Sequence, residues 1–154
     1  MSERRASALD AMLAGAQARY VRLSPARAWA ALQAGALLVD TRPADQRRRD
    51  GEVPGAVVVG RNVLEWRLDP DGAWRMPEAT GPDQQVVLLC DEGCSTQLAV
   101  VSLLDLGLVG ATDVIGGMQA WLADGLPTAP PGTCVDRTEP QAVETGMPGS
   151  TARL

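Results

Sequence analysis

The sequence predicts an α/β domain with a mainly parallel sheet, because short β-branched runs alternate with helical patterns along most of its length. The most continuous strand signal is Gln85-Val86-Val87-Leu88-Leu89, which is apolar enough to be buried on both faces of a sheet. The chain has 154 residues and a hydrophobic content of 45%, which is enough for one domain with one core.

Two helices and two strands are predicted before this central strand. Residues 6 to 19 carry apolar side chains at three- and four-residue spacing, which is typical of a short amphipathic helix. Ser24-Pro25 begins a second helix, with serine as the N-cap and proline at the first helical position. Residues 36 to 39 are then expected as a buried strand, and residues 56 to 59 as another after a Gly- and Pro-containing turn.

A connection, two helices and a strand complete the predicted order. Residues 61 to 78 contain two tryptophans and two prolines without periodicity, so we expect an irregular segment over the surface. After the central strand, a helix is predicted from Ser95 to near Gly107, followed by a short strand at residues 113 to 115. Residues 118 to 124 form the last short helix, which ends at a glycine.

We predict three parts along the chain. Residues 1–20 form an N-terminal helical extension, residues 21–127 form the α/β domain, and residues 128–154 form a disordered tail. The tail prediction depends on its proline and glycine content and its few periodic apolar residues.

Composition excludes several classes of function. The formal net charge of −5 provides no basic field for nucleic acid or for anionic membrane surfaces. The absence of histidine and lysine excludes Ser-His-Asp and Cys-His pairs, Schiff bases and Walker-type loops. Without an apolar run of roughly 18 residues or a signal-peptide core, we expect a cytoplasmic protein with no membrane association. Its three cysteines are expected to be reduced, and they form no metal-binding set.

The residue most able to carry chemistry is Cys90, at the end of the central strand. Ligand sites in open α/β sheets lie at the carboxyl ends of strands. A loop from Asp91 to Thr96 follows and opens a helix, so successive backbone N–H groups and the helix N-terminus would stabilise a thiolate or persulfide there. The alternative is that Cys90 is only the last buried residue of its strand.

Five blocks that occur in order resemble those of a single-domain rhodanese, a sulfurtransferase, from about residue 21 to residue 127. The blocks are Leu38 to Arg42, Gly51 to Ala56, the Cys90 loop, Asp113 to Trp121, and Gly125 to Pro127. The resemblance implies a central five-stranded parallel sheet flanked by helices on both faces. It also implies that Cys90 is catalytic and carries sulfur as a persulfide, with no metal or organic cofactor.

The resemblance further implies an anion-binding loop that holds the persulfide. Its residues after the cysteine are Asp91, Glu92, Gly93, Cys94, Ser95 and Thr96. The expected partners are a small donor such as thiosulfate or a persulfide, and a thiol or cyanide as acceptor. Two acidic residues replace the basic residues that thiosulfate-using rhodaneses carry here, and they would repel a dianionic donor if they faced inward. Glu52 stands in place of the family's usual histidine, a change that we expect to be structural.

Five residues outside the loop are candidates for pocket or loop support. In the family, a pair such as Asp40 and Arg42 braces the active-site loop. Arg61, Trp66 and Arg67 could flank the mouth of the pocket and supply positive charge, or they could simply pack under a long connection. Cys134 lies in the predicted tail and could reach Cys90 only through a flexible linker.

Other functions stay open from the sequence. A catalytically quiet rhodanese-like binding or regulatory module would explain the acidic loop. A thiol redox protein would use Cys90 and Cys94, which could form a disulfide across the loop. A Cys-x5-Arg phosphatase or arsenate reductase is disfavoured, because Thr96 stands where the arginine would be. The oligomeric state is not determined, with a homodimer as one possibility.

Overall fold

A computed structural model describes residues 4–140 and contains one five-stranded sheet. Its strands are β1 (Leu37–Asp40), β2 (Val57–Val58), β3 (Val86–Leu89), β4 (Ala111–Asp113) and β5 (Val135–Asp136). Its α-helices are α1 (Ala8–Gln17), α2 (Pro25–Gln33), α3 (Ala44–Asp50), α4 (Leu64–Leu68), α5 (Ser95–Asp105) and α6 (Gly117–Ala123). The strand order is β4-β3-β1-β2-β5 and every pairing is parallel, which confirms the predicted fold class.

The sheet has a hydrophobic layer on each face. Alternate residues of a strand point to opposite faces, so Val86 and Leu88 join the layer beneath α4 and α5, while Val87 and Leu89 join the other. The second layer contains Trp121 of α6, which is fully buried and packs edge to face with Trp29 at a centroid distance of 5.9 Å. Burial of both faces of β3 confirms that it is a central strand.

The pairing of β1 with β3 places two predicted blocks side by side. Asp40 at the end of β1 is in register with Leu89 at the end of β3. One residue further, the Thr41 N–H donates to the Leu89 carbonyl oxygen at 2.8 Å. The residues after β1 therefore lie beside the Cys90 loop.

Two features between β1 and β3 differ from the sequence prediction. Helix α3 was not predicted, because six of its seven residues are charged or polar without an apolar stripe and none of them is buried. Residues 61 to 78 were expected over the surface, but Leu64, Leu68 and Met76 are fully buried in the core layer beneath α4. A short helix can bury a few apolar side chains without the length that makes its periodicity visible.

The prediction of a disordered tail from residue 128 is wrong for residues 128–140. Ala129 and Glu52 exchange backbone hydrogen bonds, and β5 adds an edge strand beside β2. The pairing is made by the backbone, so it needs no apolar periodicity in the sequence. The rest of the predicted tail, residues 141–154, lies outside the described residues.

The N-terminal segment covers the opposite edge of the sheet. Strand β4 begins and ends two residues earlier than predicted. Leu23 donates its N–H to the Asp113 carbonyl oxygen and accepts from the Ile115 N–H, so the chain after α1 runs alongside β4. Helix α1 packs against α5 and begins with a capping box between Ser7 and Asp10. None of the helices within residues 4–140 is long and apolar enough to cross a membrane.

Candidate active site at Cys90

Cys90 lies directly after β3, with its side chain at the start of a tight loop that leads into α5. The residue is 7% exposed. The Gly93 N–H donates to its Sγ at 3.2 Å, and the Thr96 hydroxyl lies 3.3 Å from the same atom. Of the predicted series of backbone N–H groups, that of Gly93 is thus directed at the sulfur, with the Thr96 hydroxyl beside it.

A glycine in the loop allows it to bend this tightly. Gly93 has a φ of +80°, and a Cβ there would lie 2.7 Å from the backbone nitrogen of Gly116. The loop also rests on α6, because the N–H groups of Met118 and Gln119 donate to the carbonyl oxygens of Cys90 and Asp91 at 2.9 and 3.0 Å. The pair Gly116-Gly117 at the start of α6 and the cysteine loop thus form one packed unit.

An open cleft of about 490 Å³ adjoins the cysteine. Its lining comes from the cysteine loop, from the residues after β1 and from one residue after β2: Thr41, Arg42, Pro43, Gln46, Arg61, Cys90, Asp91, Glu92, Cys94 and Ser95. Most of the predicted loop residues therefore face one cleft. Gly93 and Thr96 are buried behind the sulfur instead.

The acidic loop is less negative than its sequence suggests. The Asp91 carboxylate accepts from Arg49 of α3 at 2.7 Å and from Gln119 of α6 at 2.9 Å. Glu92 is exposed to solvent, where its charge is screened. Sequence reasoning missed Arg49, because the helix that brings it to the loop was itself not predicted.

Asp40 and Arg42 form a fully buried ion pair beside the loop. Arg42 donates from Nε to Oδ1 at 3.0 Å and from Nη2 to Oδ2 at 2.7 Å, and also from Nη2 to the Gly51 carbonyl oxygen at 2.9 Å. Among buried side-chain nitrogen and oxygen atoms of residues 4–140, Arg42 Nη1 lacks a hydrogen-bond partner. That nitrogen is itself buried, so its unused donor is not open to solvent in the cleft.

Of the three residues predicted at the mouth of the pocket, Arg61 lines the cleft. Its Nη1 pairs with the Glu65 carboxylate at 2.9 Å. Arg67 does not line it, because it is fully buried and donates at 2.6 Å to the carbonyl oxygens of both Trp74 and Arg137. Trp66 is 54% exposed and is not among the cleft residues.

A buried polar cluster behind the sulfur was missed by sequence reasoning. The Asp113 carboxylate, at the end of β4, accepts from Thr96 at 2.8 Å, from Tyr20 at 2.9 Å and from Arg22 through Nε and Nη2 at 2.9 and 3.0 Å. Arg22 also donates to the Gly93 carbonyl oxygen at 2.8 Å. The available signal was an acidic residue in the apolar run Asp113-Val114-Ile115.

This cluster shifts two protonation equilibria. Burial, together with the Asp113 charge and hydrogen bond, raises the pKa of the Tyr20 hydroxyl. Burial alone would lower the pKa of Arg22, but the hydrogen bond and charge of Asp113 outweigh it and raise that pKa. Tyr20 and Arg22 therefore both stay protonated and donate hydrogen bonds to the Asp113 carboxylate.

The other two cysteines differ in environment, and all three are free thiols. Cys94 is exposed at the N-cap of α5 and lines the same cleft as Cys90. Cys134 does not sit on a flexible linker as expected, because its thiol donates to the Val53 carbonyl oxygen at 3.1 Å. Burial, with the Glu52 charge in addition, raises the pKa of the Cys134 thiol to about 11.

Comparison with known proteins gives a consistent family. The model of the rhodanese-like domain matches residues 24–124. Thiosulfate sulfurtransferase 16 of Arabidopsis thaliana chloroplasts is 29% identical over 100 residues, which are 63% of this chain and 82% of the relative.

Two solved structures are similar over most of the chain. A protein of unknown function from Rhodopseudomonas palustris, described as a possible tyrosine phosphatase, has a TM-score of 0.72 at 30% identity, covering 84% of this chain and 99% of its own. The polysulfide-sulfur transferase homodimer of Wolinella succinogenes has a TM-score of 0.64 at 28% identity, with coverages of 80% and 88%.

Proposed function

Because the chain belongs to the rhodanese-like domain family, we propose that it is a sulfurtransferase that moves sulfane sulfur through a persulfide on Cys90. The observation that carries this proposal is the position of the Cys90 sulfur, which lies beside an open cleft and accepts a hydrogen bond from the Gly93 N–H. An N–H donor at that atom stabilises the anionic sulfur of a thiolate or persulfide. No metal or organic cofactor takes part in this chemistry.

The proposed reaction has two steps. The Cys90 thiolate attacks the outer sulfur of thiosulfate, so a new S–S bond forms while the S–S bond of the donor breaks and sulfite leaves with its electron pair. A thiophilic acceptor such as cyanide or a thiol then attacks the outer sulfur of the persulfide. Thiocyanate or a new persulfide leaves, and the Cys90 thiolate is restored.

Two features of the cleft support an anionic donor. Arg61 brings a guanidinium to the lining, and that of Arg42 lies beside it in the buried pair with Asp40. The contact of Asp91 with Arg49 reduces the repulsion that an acidic loop would exert on such a donor. These features favour a sulfurtransferase over a catalytically quiet binding module.

The test is the cyanide-dependent formation of thiocyanate from thiosulfate under reducing conditions. We expect wild type to be active, Cys90→Ser to lose all activity, and Cys134→Ser, a matched thiol loss outside the cleft, to keep it. Mass spectrometry should show one added sulfur on Cys90 after incubation with thiosulfate or a glutathione persulfide donor. No added sulfur with any donor would contradict the proposal and favour the binding module.

A thiol redox function is a second candidate, because Cys90 and Cys94 line the same cleft. It predicts a reversible Cys90–Cys94 disulfide with a defined reduction potential. Cys94→Ser would abolish that couple, whereas a sulfurtransferase that uses Cys90 alone keeps its thiocyanate formation in this variant.

The description of the Rhodopseudomonas relative raises phosphate-ester hydrolysis as a comparison. Thr96, at the position of the arginine in a Cys-x5-Arg loop, donates to Asp113 and cannot clamp a phosphate dianion. We therefore expect no hydrolysis of p-nitrophenyl phosphate above the rate of Cys90→Ser.

A homodimer is a further proposal, supported by the dimeric relative from Wolinella. Light scattering behind size-exclusion chromatography tests it, and a mass near 16.2 kDa would contradict it.

A further inference from the structure

The buried carboxylate of Asp113 is connected to the Cys90 sulfur through a single hydroxyl group. Asp113 lies on the face of β4 that packs beneath α5, and Thr96 in the first turn of α5 lies between it and the sulfur. Tyr20 and Arg22 are alternate residues of the segment that runs along β4, so their side chains reach the same side. Four donors thus meet one carboxylate that solvent does not reach.

The hydrogen-bond inventory fixes the direction of the contact at the sulfur. A hydroxyl has one proton, and Thr96 directs it to Asp113 Oδ2 at 2.8 Å. Its oxygen can then only accept from Cys90, whose Sγ lies 3.3 Å away. The resulting chain runs from the Cys90 S–H to the Thr96 oxygen, and from the Thr96 O–H to the carboxylate.

We propose that Asp113 and Thr96 form a hydrogen-bonded chain behind Cys90, through which the Asp113 carboxylate acts on the reactivity of the sulfur. This inference rests on the proposed function only in taking Cys90 as the sulfur carrier. When the proton leaves for water in the cleft, the Thr96 hydroxyl can turn to the bare sulfur, while Tyr20 and Arg22 still satisfy Asp113. Asp113 is therefore a positioning residue, which acts on the sulfur through Thr96.

Arg22 connects the same chain to the active-site loop. It donates from Nη2 both to Asp113 at 3.0 Å and to the Gly93 carbonyl oxygen at 2.8 Å, and Gln97 donates to that carbonyl at 2.7 Å. Gly93 is the residue whose N–H meets the sulfur. The cluster therefore contacts both residues whose groups hydrogen-bond to the Cys90 sulfur, Gly93 and Thr96.

Other charged groups also face Cys90 and must stay constant in any test. From the loop, the cleft and the N-terminal segment, they are Asp91 with its partner Arg49, Glu92, Arg42 with Asp40, Arg61, Arg22 and Tyr20. Asp113→Asn changes none of these side chains, but it removes one negative charge behind the sulfur and the ionic partner of Arg22. It also weakens the acceptor of the Thr96 proton.

The first test is the pH profile of Cys90 alkylation by iodoacetamide, in protein with Cys94→Ser and Cys134→Ser so that one thiol reacts. We expect Asp113→Asn to move the midpoint about one pH unit lower, which makes alkylation about tenfold faster below both midpoints. Asp105→Asn, the same change at an exposed ion pair with Arg19, should leave the midpoint unchanged. With Thr96→Val in the background, the Asp113→Asn shift should fall to half or less, and with Thr96→Ser it should persist.

A second measurement needs no substitution at Asp113, which matters if that variant does not fold. The infrared S–H stretching band of Cys90, in the same two-serine background, should lie below the frequency of a thiol without an acceptor. Thr96→Val should move it upward, and Thr96→Ser should not. A folded Asp113→Asn protein with an unchanged or higher midpoint, or an S–H band unmoved by Thr96→Val, would overturn the inference. Neither readout requires sulfur transfer, so an inactive enzyme could still satisfy both.

Discussion

Gly117 is the residue on which the Cys90 loop rests. Its φ is +58°, and a Cβ at this position would collide with the Cys90 carbonyl oxygen and lie 2.7 Å from the Gly93 nitrogen and 2.8 Å from the Asp91 carbonyl carbon. All three are backbone atoms of the loop, so they can move only if the loop moves. The N–H that Gly93 directs at the sulfur would move with them.

Gly117→Ala should therefore lower both the free energy of unfolding and the amount of persulfide that forms on Cys90. We expect a loss of about 2–4 kcal/mol in the free energy of unfolding, from the strained φ and the backbone clash. Persulfide formation on Cys90, followed by mass spectrometry, should fall at least tenfold. Gly15→Ala is the matched control, because nothing lies within 4 Å of a Cβ there, and it should stabilise α1 by about 0.5–1 kcal/mol. A Gly117→Ala protein with full loading would show that the loop does not depend on this contact.

At the scale of residues, the sequence was informative where chemistry is local. Cys90 and its loop follow one strand directly, so strand and loop patterns together indicated where the cysteine lies. Asp113, Arg22 and Arg49 could not be assigned, because their roles depend on which elements meet in space. The contacts of Arg22 and Arg49 span 42 to 91 residues of sequence. A single sequence contains no signal for pairs of that separation.

At the scale of elements, Glu52 ties the final segment to the turn before β2. It is 2% exposed; its Oε1 accepts from the Cys134 N–H at 2.9 Å and its Oε2 from Arg47 at 3.1 Å. Burial works against the charged form, but hydrogen bonds from the Cys134 and Gly132 N–H groups and from Arg47 outweigh it and lower the pKa of Glu52. The structure thus supports the expectation that this substitution for the family's histidine is structural.

Glu52→Gln should destabilise the fold by about 2–3 kcal/mol near neutral pH, because an amide N–H would face the Arg47 guanidinium. A lowered native pKa contributes stability above the unfolded value of about 4.5 and loses it as the pH falls through the native pKa. The difference between wild type and variant should therefore narrow below about pH 4.5. Urea unfolding at several pH values from 7 to 3 measures this difference in the free energy of unfolding. Asp83→Asn, at an exposed position, is the control. A stability difference that does not change with pH would contradict the conclusion that Glu52 is ionised in the folded protein.

The helices and strands that the sequence predicted well are the ones that are long or rich in apolar residues. Helices α2 and α5 and strand β3 carry caps or continuous apolar runs, and each was expected close to its observed position. Strand β5 has two exposed residues and is held by backbone hydrogen bonds, for which composition gives no signal. The same composition that favours disorder in isolation can form an edge strand when a partner strand is available.

At the scale of the whole molecule, the described chain closes its sheet at both edges with segments outside the strand-helix alternation. Residues 20 to 23 lie along β4, and β5 lies along β2. The first segment contributes Tyr20 and Arg22 to the cluster behind Cys90. The second is held by Arg67 of α4, which is buried in the core and donates to the Arg137 carbonyl oxygen just after β5.

Arg67 joins two distant segments from a fully buried position. Nε donates to the Arg137 carbonyl oxygen after β5, and Nη1 donates to the Trp74 carbonyl oxygen in the connection before β3. Arg137 in turn pairs with Glu78 at 3.0 Å, so the connection and the final segment are held together twice. A methionine of similar length would fill the space but would leave both carbonyl oxygens without this donor.

Arg67→Met should lower the free energy of unfolding by about 2–6 kcal/mol, at roughly 1–3 kcal/mol for each of the two partly buried carbonyl oxygens that lose their donor. Arg75→Met is the control, because Arg75 is exposed in the same connection, and it should change stability by less than about 0.5 kcal/mol. Hydrogen exchange should show where stability is lost. The Arg137 N–H, which donates to the Val58 carbonyl oxygen at 2.7 Å, should lose protection from exchange. The Leu23 N–H on the opposite edge of the sheet should keep its protection. Equal loss at both edges would mean that the sheet unfolds as one unit, with Arg67 stabilising it as a whole.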